Sequence, residues 1–241
     1  MKPRNLLILL SVSLSFVSCA YIDPLIEDAN IVSVADEVQI SKQMQGEVAK
    51  AMKIVEDPKL TTPVRQIGNR LVAALPHKDF DYQFFVVADN SPNAFTIPGA
   101  KIYVHTGLMQ FVSDESELAG VMAHEIGHAY ERHPAKSITR QAGLSQLVSR
   151  IGGGTNAGVI KQMALKIAGT GALNFYGRDD EREADQIGFN LLRQTGYPTD
   201  GLTRFLKKLV PLQNGKTPPA FLSTHPPTPE RIAALEALSK R

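Results

Sequence analysis

Apolar residues recur along most of this chain at a helical period, and only a short middle stretch reads as strand. From Val34 to about Val55, Val38, Met44, Val48, Met52 and Val55 are partly periodic, which predicts a long helix. Pro63 to Leu75 predicts a second, with Val64, Ile67, Leu71 and Ala74 as its buried stripe. Phe84-Phe85-Val86-Val87 and Ile102-Tyr103-Val104 are short β-rich runs, with Pro98-Gly99 as turn residues. Leu118, Met122, Ile126 and Ala129 then form a core-facing helical stripe. Asp114 is its expected N-cap, with Glu117 as capping-box partner, and Pro134 is expected to close it. Ala184, Ile187, Leu191 and Leu192 mark another helix, stopped by Gly196 and Pro198. Two more are expected from Gly201 to Val210 and from Ile232 to Leu238. The pattern predicts an α+β domain, mostly helical, with a small antiparallel sheet, over residues 35–241.

The segment from Leu147 to Leu173 is rich in glycine and apolar enough to suggest a membrane span. Arg150, Lys161 and Lys166 interrupt it, at a cost in lipid. It reads as a hinge and an amphipathic helix, either a lid over a cleft or a surface loop without function.

The N-terminus has the parts of a secretory signal: Lys2 and Arg4, an apolar run from Leu6 to Val17, then small residues. The run is too short to span a bilayer comfortably. Phe16-Val17-Ser18-Cys19 is similar to a bacterial lipobox, with phenylalanine in place of the usual leucine. Residues 1–18 are then a signal peptide, Cys19 the lipidated residue, and 19–34 a tether; cleavage after Ala20 is the competing reading. Ala20, where aspartate would retain a lipoprotein at the inner membrane, implies the periplasmic side of the outer membrane. Removing residues 1–18 takes away Lys2 and Arg4 and no acid, so the formal charge falls from +2 to 0. The basic balance is therefore no argument for a nucleic-acid partner. Cys19 is the single cysteine, so the mature chain forms no internal disulfide.

His124-Glu125-Ile126-Gly127-His128 carries the candidate chemistry. An H-E-x-x-H run on a helix sets two imidazoles at i and i+4, where both reach one metal ion. Glu125 stands beside the first, placed as a general base for a zinc-activated water. Two surface histidines on a solvated helix would show the same letters. A catalytic zinc keeps three protein ligands and an open position. The metzincin pattern does not supply the third, because Glu131 and Pro134 stand where its glycine and histidine are needed. His133 lies about 140° round the helix from His128 and is expected at the helix C-terminus, away from the site. Peptide deformylases use a cysteine, which only the signal region holds.

The better third ligand lies in Asp179-Asp180-Glu181-Arg182-Glu183-Ala184-Asp185. Glu181 and Asp185 are i and i+4 on a helix, so Glu181 can bind zinc while Asp185 accepts the second N–H of a ligating histidine. A helix N-terminus decorated with acids is the plainer alternative. Glu183 points to another face, expected in solvent.

H-E-x-x-H followed by E-x-x-A-D resembles the gluzincin metallopeptidase family of the CAAX prenyl-protein proteases, HtpX and the periplasmic BepA- and LoiP-like proteases. Asn93-Ala94-Phe95-Thr96-Ile97-Pro98-Gly99, with the run Ile102 to Leu108, resembles the family's hairpin before the zinc helix. Ser223-Thr224-His225-Pro226-Pro227 with Glu230-Arg231-Ile232 resembles its C-terminal segment. The resemblance, from about residue 35 to the C-terminus, implies a zincin-like metalloprotease domain with one Zn2+ per chain. By it His124, His128 and Glu181 bind zinc, Glu125 is the base and Asp185 supports the site. It also implies that Asn93, Ala94 and Phe95 form a substrate-binding strand edge, which the residues alone do not distinguish from a structural hairpin.

His225 has two readings: a loop histidine packed on the domain, or a plug that fills the fourth zinc position and keeps the enzyme latent. Tyr176, Arg178 and His225 are candidate oxyanion donors. The sequence thus predicts a zinc endopeptidase of the bacterial cell envelope, lipid-anchored, acting on unfolded or misassembled envelope proteins. A tetratricopeptide extension is absent, so an adaptor would be a separate protein. The alternative is a zinc-containing periplasmic chaperone or assembly factor whose site His225 closes.

Overall fold

The computed structural model describes residues 30, 32–140, 176–213, 215 and 219–240. Cys19, the expected signal and the glycine-rich segment 147–173 lie outside them. The chain opens with α1 (Val34–Ala51), whose N-cap Ser33 forms a capping box with Asp36. A short β1 (Ile54–Val55) and α2 (Pro58–Ala73) follow. The first helix therefore ends before Val55, because Met52 turns extended and Ile54 and Val55 pair in the sheet. The second starts earlier than the apolar stripe suggests. Asp57 caps it, Pro58 occupies its first turn, and Pro63 is accommodated inside.

Strands β2 (Gln83–Val87), β3 (Ala94–Ile97) and β4 (Lys101–His105) complete a four-stranded sheet in the order β1-β2-β4-β3. The sheet is mixed, not antiparallel as expected. β3 and β4 form an antiparallel hairpin through Gly99 and Ala100, both at positive φ, whereas β2 lies parallel to β4 with Phe85 opposite Tyr103. Alternation of side chains identifies strands but not neighbours. Here residues 88–93 carry the chain past the sheet, so β3 becomes its edge and β4 a central strand buried throughout.

After α3 (Thr106–Phe111) comes the central helix α4 (Glu115–Tyr130), buried from Ser116 to Ala129. Asp114 caps it by accepting from the Glu117 N–H, while the Glu117 carboxylate accepts from the Ser113 N–H. Pro134 does not close it. The helix ends at Tyr130, Arg132 turns left-handed at φ 57°, and residues 133–140 form a further helix, α5. α6 (Arg178–Thr195) packs along α4 and ends at Gly196, φ 74°. A Cβ on Gly127 would meet the Ala184 carbonyl oxygen at 2.7 Å, so glycine is what lets the two backbones approach. α7 (Gly201–Leu209), α8 (Ala220–Thr224) and α9 (Pro229–Ser239) cover the other side. The main core joins α2, the sheet, α4, α6 and α7 through Val64, Ile102, Met122, Leu192 and Phe205. Among the described residues no helix is long and apolar enough to cross a membrane.

Candidate metal centre

The site is built where α4, α6 and the end of α8 meet. His124 and His128 sit one turn apart on α4, Glu181 lies in the first turn of α6, and His225 is the C-cap of α8. All four are buried, and one ligand atom from each lies within 4.8 Å of the others. His124 Nε2 is 3.0 Å from His128 Nε2 and 3.5 Å from Glu181 Oε2. His128 Nε2 is 3.2 Å from Glu181 Oε1. Tetrahedral zinc ligands at about 2.0–2.1 Å from the ion stand ~3.3 Å apart, so the spacings fit.

The donor chemistry fits too. His124 Nδ1 is 2.9 Å from Asp185 Oδ1, an acceptor, so the proton of a neutral His124 sits on Nδ1 and Nε2 is bare. That lone pair faces the Glu181 carboxylate and two more imidazoles, an assembly that a cation reconciles. Asp185 thus stands against the outer ring nitrogen of His124.

His225 presents Nδ1 3.0 Å from His124 Nε2 and 2.8 Å from Glu181 Oε1. Its Nε2 lies 3.3 Å from Glu125 Oε1, and neither of those two atoms has a hydrogen-bond partner. Burial disfavours the His225 cation, but Glu181 and Glu125 outweigh it and raise its pKa. Burial raises the pKa of Glu125 against the pull of His225, His124 and Thr96. His128 is pushed well below its usual value, by burial first and then by His124.

Arg231, on α9, ties these groups together. It is buried, donates through Nε and Nη2 to Asp185 at 2.5 and 2.8 Å, and pairs through Nη1 with Glu181. Burial opposes the charge of Glu181, yet His225, Arg231 and His124 hold its pKa well below the usual carboxylate range.

Thr96 on β3 donates to Glu125 Oε2 at 2.8 Å, and its hydroxyl also lies 3.1 Å from the Glu125 carbonyl. Asn93, Ala94 and Phe95 are buried at the start of that edge strand, so their backbone runs beside α4. Tyr176 stacks on His128, ring centroids 3.9 Å apart, and burial with Glu125 and Glu181 raises its pKa well above normal. Arg178 is exposed in the first turn of α6, near Glu230, and does not join the cluster.

His133 is the main departure from expectation. It is buried, with Nδ1 2.9 Å from His128 Nδ1 and Nε2 3.1 Å from Glu183 Oε2. The left-handed turn at Arg132 breaks the helical phase that had placed it on another face. Glu183 is exposed as expected, at 52%, but its carboxylate reaches His133. Sequence reasoning gave no role to Thr96, His133 or Arg231. Thr96 and Arg231 left a signal, as parts of the quoted hairpin and C-terminal motifs.

The model of Peptidase family M48 matches residues 58–239. The chain belongs to that family. Its members use zinc, and the cluster of His124, His128, Glu181 and His225 can hold such an ion. Among curated relatives, the beta-barrel assembly-enhancing protease of Escherichia coli (strain K12) is 29% identical over 213 residues, 83% of this chain and 43% of the relative. Metalloprotease LoiP of the same organism is 28% identical over 248 residues, 96% of this chain and 94% of LoiP. Metalloprotease YcaL is 32% identical over 155 residues, 63% of this chain and 59% of YcaL. The chain thus spans less than half the length of the assembly-enhancing protease and nearly all of LoiP.

Proposed function

We propose that this chain is a zinc-dependent endopeptidase of the bacterial cell envelope, with His124, His128 and Glu181 as ligands and Glu125 as general base. The observation that carries it is the Glu125 carboxylate standing buried beside three converging ligand atoms, one oxygen held by Thr96. A bound zinc ion supplies Lewis-acid polarisation of the scissile carbonyl and acidity to a water. Glu125 accepts the proton and returns it to the leaving amine. Tyr176 keeps its hydroxyl proton and is a donor for the developing oxyanion. Asn93, Ala94 and Phe95 begin the sheet's edge strand, to which an extended substrate can add by main-chain hydrogen bonds.

The substrates we propose are unfolded or misassembled envelope proteins, on the strength of the relatives' names and the signal-like N-terminus. Cys19 would anchor the chain in lipid on the periplasmic face of the outer membrane, and a separate adaptor could bring substrate. Replacing Glu125 by glutamine should keep zinc and abolish casein cleavage. Equal, measurable cleavage with and without Glu125→Gln in the His225→Ala background would remove Glu125 as the base. His225, set among the ligands, favours a second reading as a zinc-containing chaperone or assembly factor. Suppression of aggregation by wild type and Glu125→Gln alike, with no cleavage even after His225→Ala, would favour it.

A further inference from the structure

We infer that His133 is a positioning residue for the metal: it holds His128 in the tautomer with its proton on Nδ1, leaving Nε2 bare for the ion. The inference rests on the reading of His128 as a ligand and assigns the group that supports it, as Asp185 supports His124.

The proton positions follow along the chain of contacts. A carboxylate only accepts, so Glu183 Oε2, 3.1 Å from His133 Nε2, places a proton on that nitrogen. Asp180 Oδ1, 3.6 Å from the same atom, adds a second negative charge on that side. In a neutral imidazole the other nitrogen is then an acceptor. His133 Nδ1 is that acceptor, and the atom 2.9 Å from it is His128 Nδ1, which must donate. His128 Nε2 is left with its lone pair, turned toward His124 Nε2 at 3.0 Å and Glu181 Oε1 at 3.2 Å. The opposite tautomer would put an N–H where the ion belongs.

The fold around His133 is arranged to keep this contact. The left-handed turn at Arg132 swings the next residue back along α4, and the helical stretch 133–140 fixes it there. Arg140 in that stretch pairs with Asp180, and Lys136 stands 3.9 Å from Glu183. Why an imidazole supports His128 while a carboxylate supports His124 has an electrostatic reason. Asp185 is balanced by the buried Arg231, which already serves Glu181 as well. A third buried carboxylate against His128 would have no cation of its own, and an uncompensated buried charge is costly. A neutral imidazole passes the hydrogen bond outward to Glu183, whose charge stays in water.

The test is zinc affinity by chelator competition, with the metal-free melting temperature as a check on folding. His133→Leu should weaken zinc binding about 10–100-fold, the usual loss when a ligand's supporting partner is removed. His133→Gln should restore binding to within about threefold, because its amide oxygen can accept from His128 and its NH2 can donate to Glu183. Side-chain 15N spectra of the wild type should place the His128 proton on Nδ1 and the His133 proton on Nε2. Wild-type affinity in a folded His133→Leu, an equal loss in a folded His133→Gln, or a proton on His128 Nε2 would overturn the inference. His128→Ala serves as the control. If it binds zinc like the wild type, the ligand reading itself falls and takes this inference with it.

Discussion

His225 Nδ1 lies 3.0 Å from His124 Nε2, although the two residues are 101 positions apart in the chain. A ring closing the H-E-x-x-H helix from the far end of the domain makes the site complete in itself. The next ring atom that could act, His225 Nε2, meets the oxygen of Glu125 that Thr96 leaves free. One side chain thus lies both against the candidate ligand atoms and against the carboxylate proposed as the base.

Removing that ring should release activity. If the protein opens spontaneously only about 0.1–10% of the time, as is usual for a minor state, His225→Ala should raise casein cleavage ~10-fold or more. Zinc should remain bound at one equivalent, measured by metal analysis. Unchanged or lower cleavage with zinc retained would rule out a plug.

Thr96 should matter through its hydroxyl alone. Thr96→Val keeps the β-branched shape and removes the donor to Glu125, so kcat should fall about 10-fold, a part of the roughly 10²–10⁴-fold that general-base catalysis contributes. Thr96→Ser should recover most of it. Both are best assayed in the His225→Ala background, where turnover is expected to be measurable. Equal activity of the valine and serine variants would show that the hydrogen bond has no part in the reaction.

Arg231 should be needed for the fold as well as the site. It is fully enclosed between Asp185 and Glu181. Arg231→Met leaves two buried carboxylates without their cation, a loss of roughly 3–5 kcal/mol seen when one partner of a buried pair is removed. Arg231→Lys should recover little, since an ammonium cannot reproduce the two parallel bonds to Asp185. Denaturant unfolding of the chelated proteins checks both. A methionine variant as stable as the wild type would contradict the account.

The buried His105 predicts a pH effect remote from the metal. Burial lowers its pKa, and Asp89 only partly offsets this. Unfolded, the ring takes up a proton near its ordinary value of about 6.5, while the folded protein does not. The folded state therefore binds fewer protons in that window, and stability contributed by the neutral ring is lost as pH falls below about 6.5. The unfolding free energy of the chelated protein, compared with His105→Gln between pH 7.5 and 5.5, should fall more steeply in the wild type. Parallel slopes would mean that His105 titrates alike in both states.

What could be read in the letters was whatever depends on near neighbours. The i, i+4 spacing put His124 and His128 on one face, and likewise Glu181 and Asp185. Asp114 caps its helix and Gly196 ends another at positive φ, because those functions lie within a turn of chain. His133 shows where such reasoning stops. Its angle was extrapolated from a continuous helix, and one left-handed residue at Arg132 reversed the result. The hairpin of β3 and β4 was legible from its turn, whereas the parallel pairing of β2 with β4 was not.

The sequence by itself determined the helix that presents Glu125 between two imidazoles, and the acidic helix that brings Glu181 and Asp185, since helical periodicity is a local property. Only the tertiary structure decided that Arg231 neutralises that acidic pair, that Thr96 holds Glu125, that His133 backs His128, and that His225 faces the cluster. Those contacts depend on packing β3, α4, α6, α8 and α9 around one point. Except for His133, five positions from His128 and returned to it by the turn at Arg132, residues about 30 to 107 positions apart are joined there by close approach of backbones and burial of charge, which no spacing within a segment encodes.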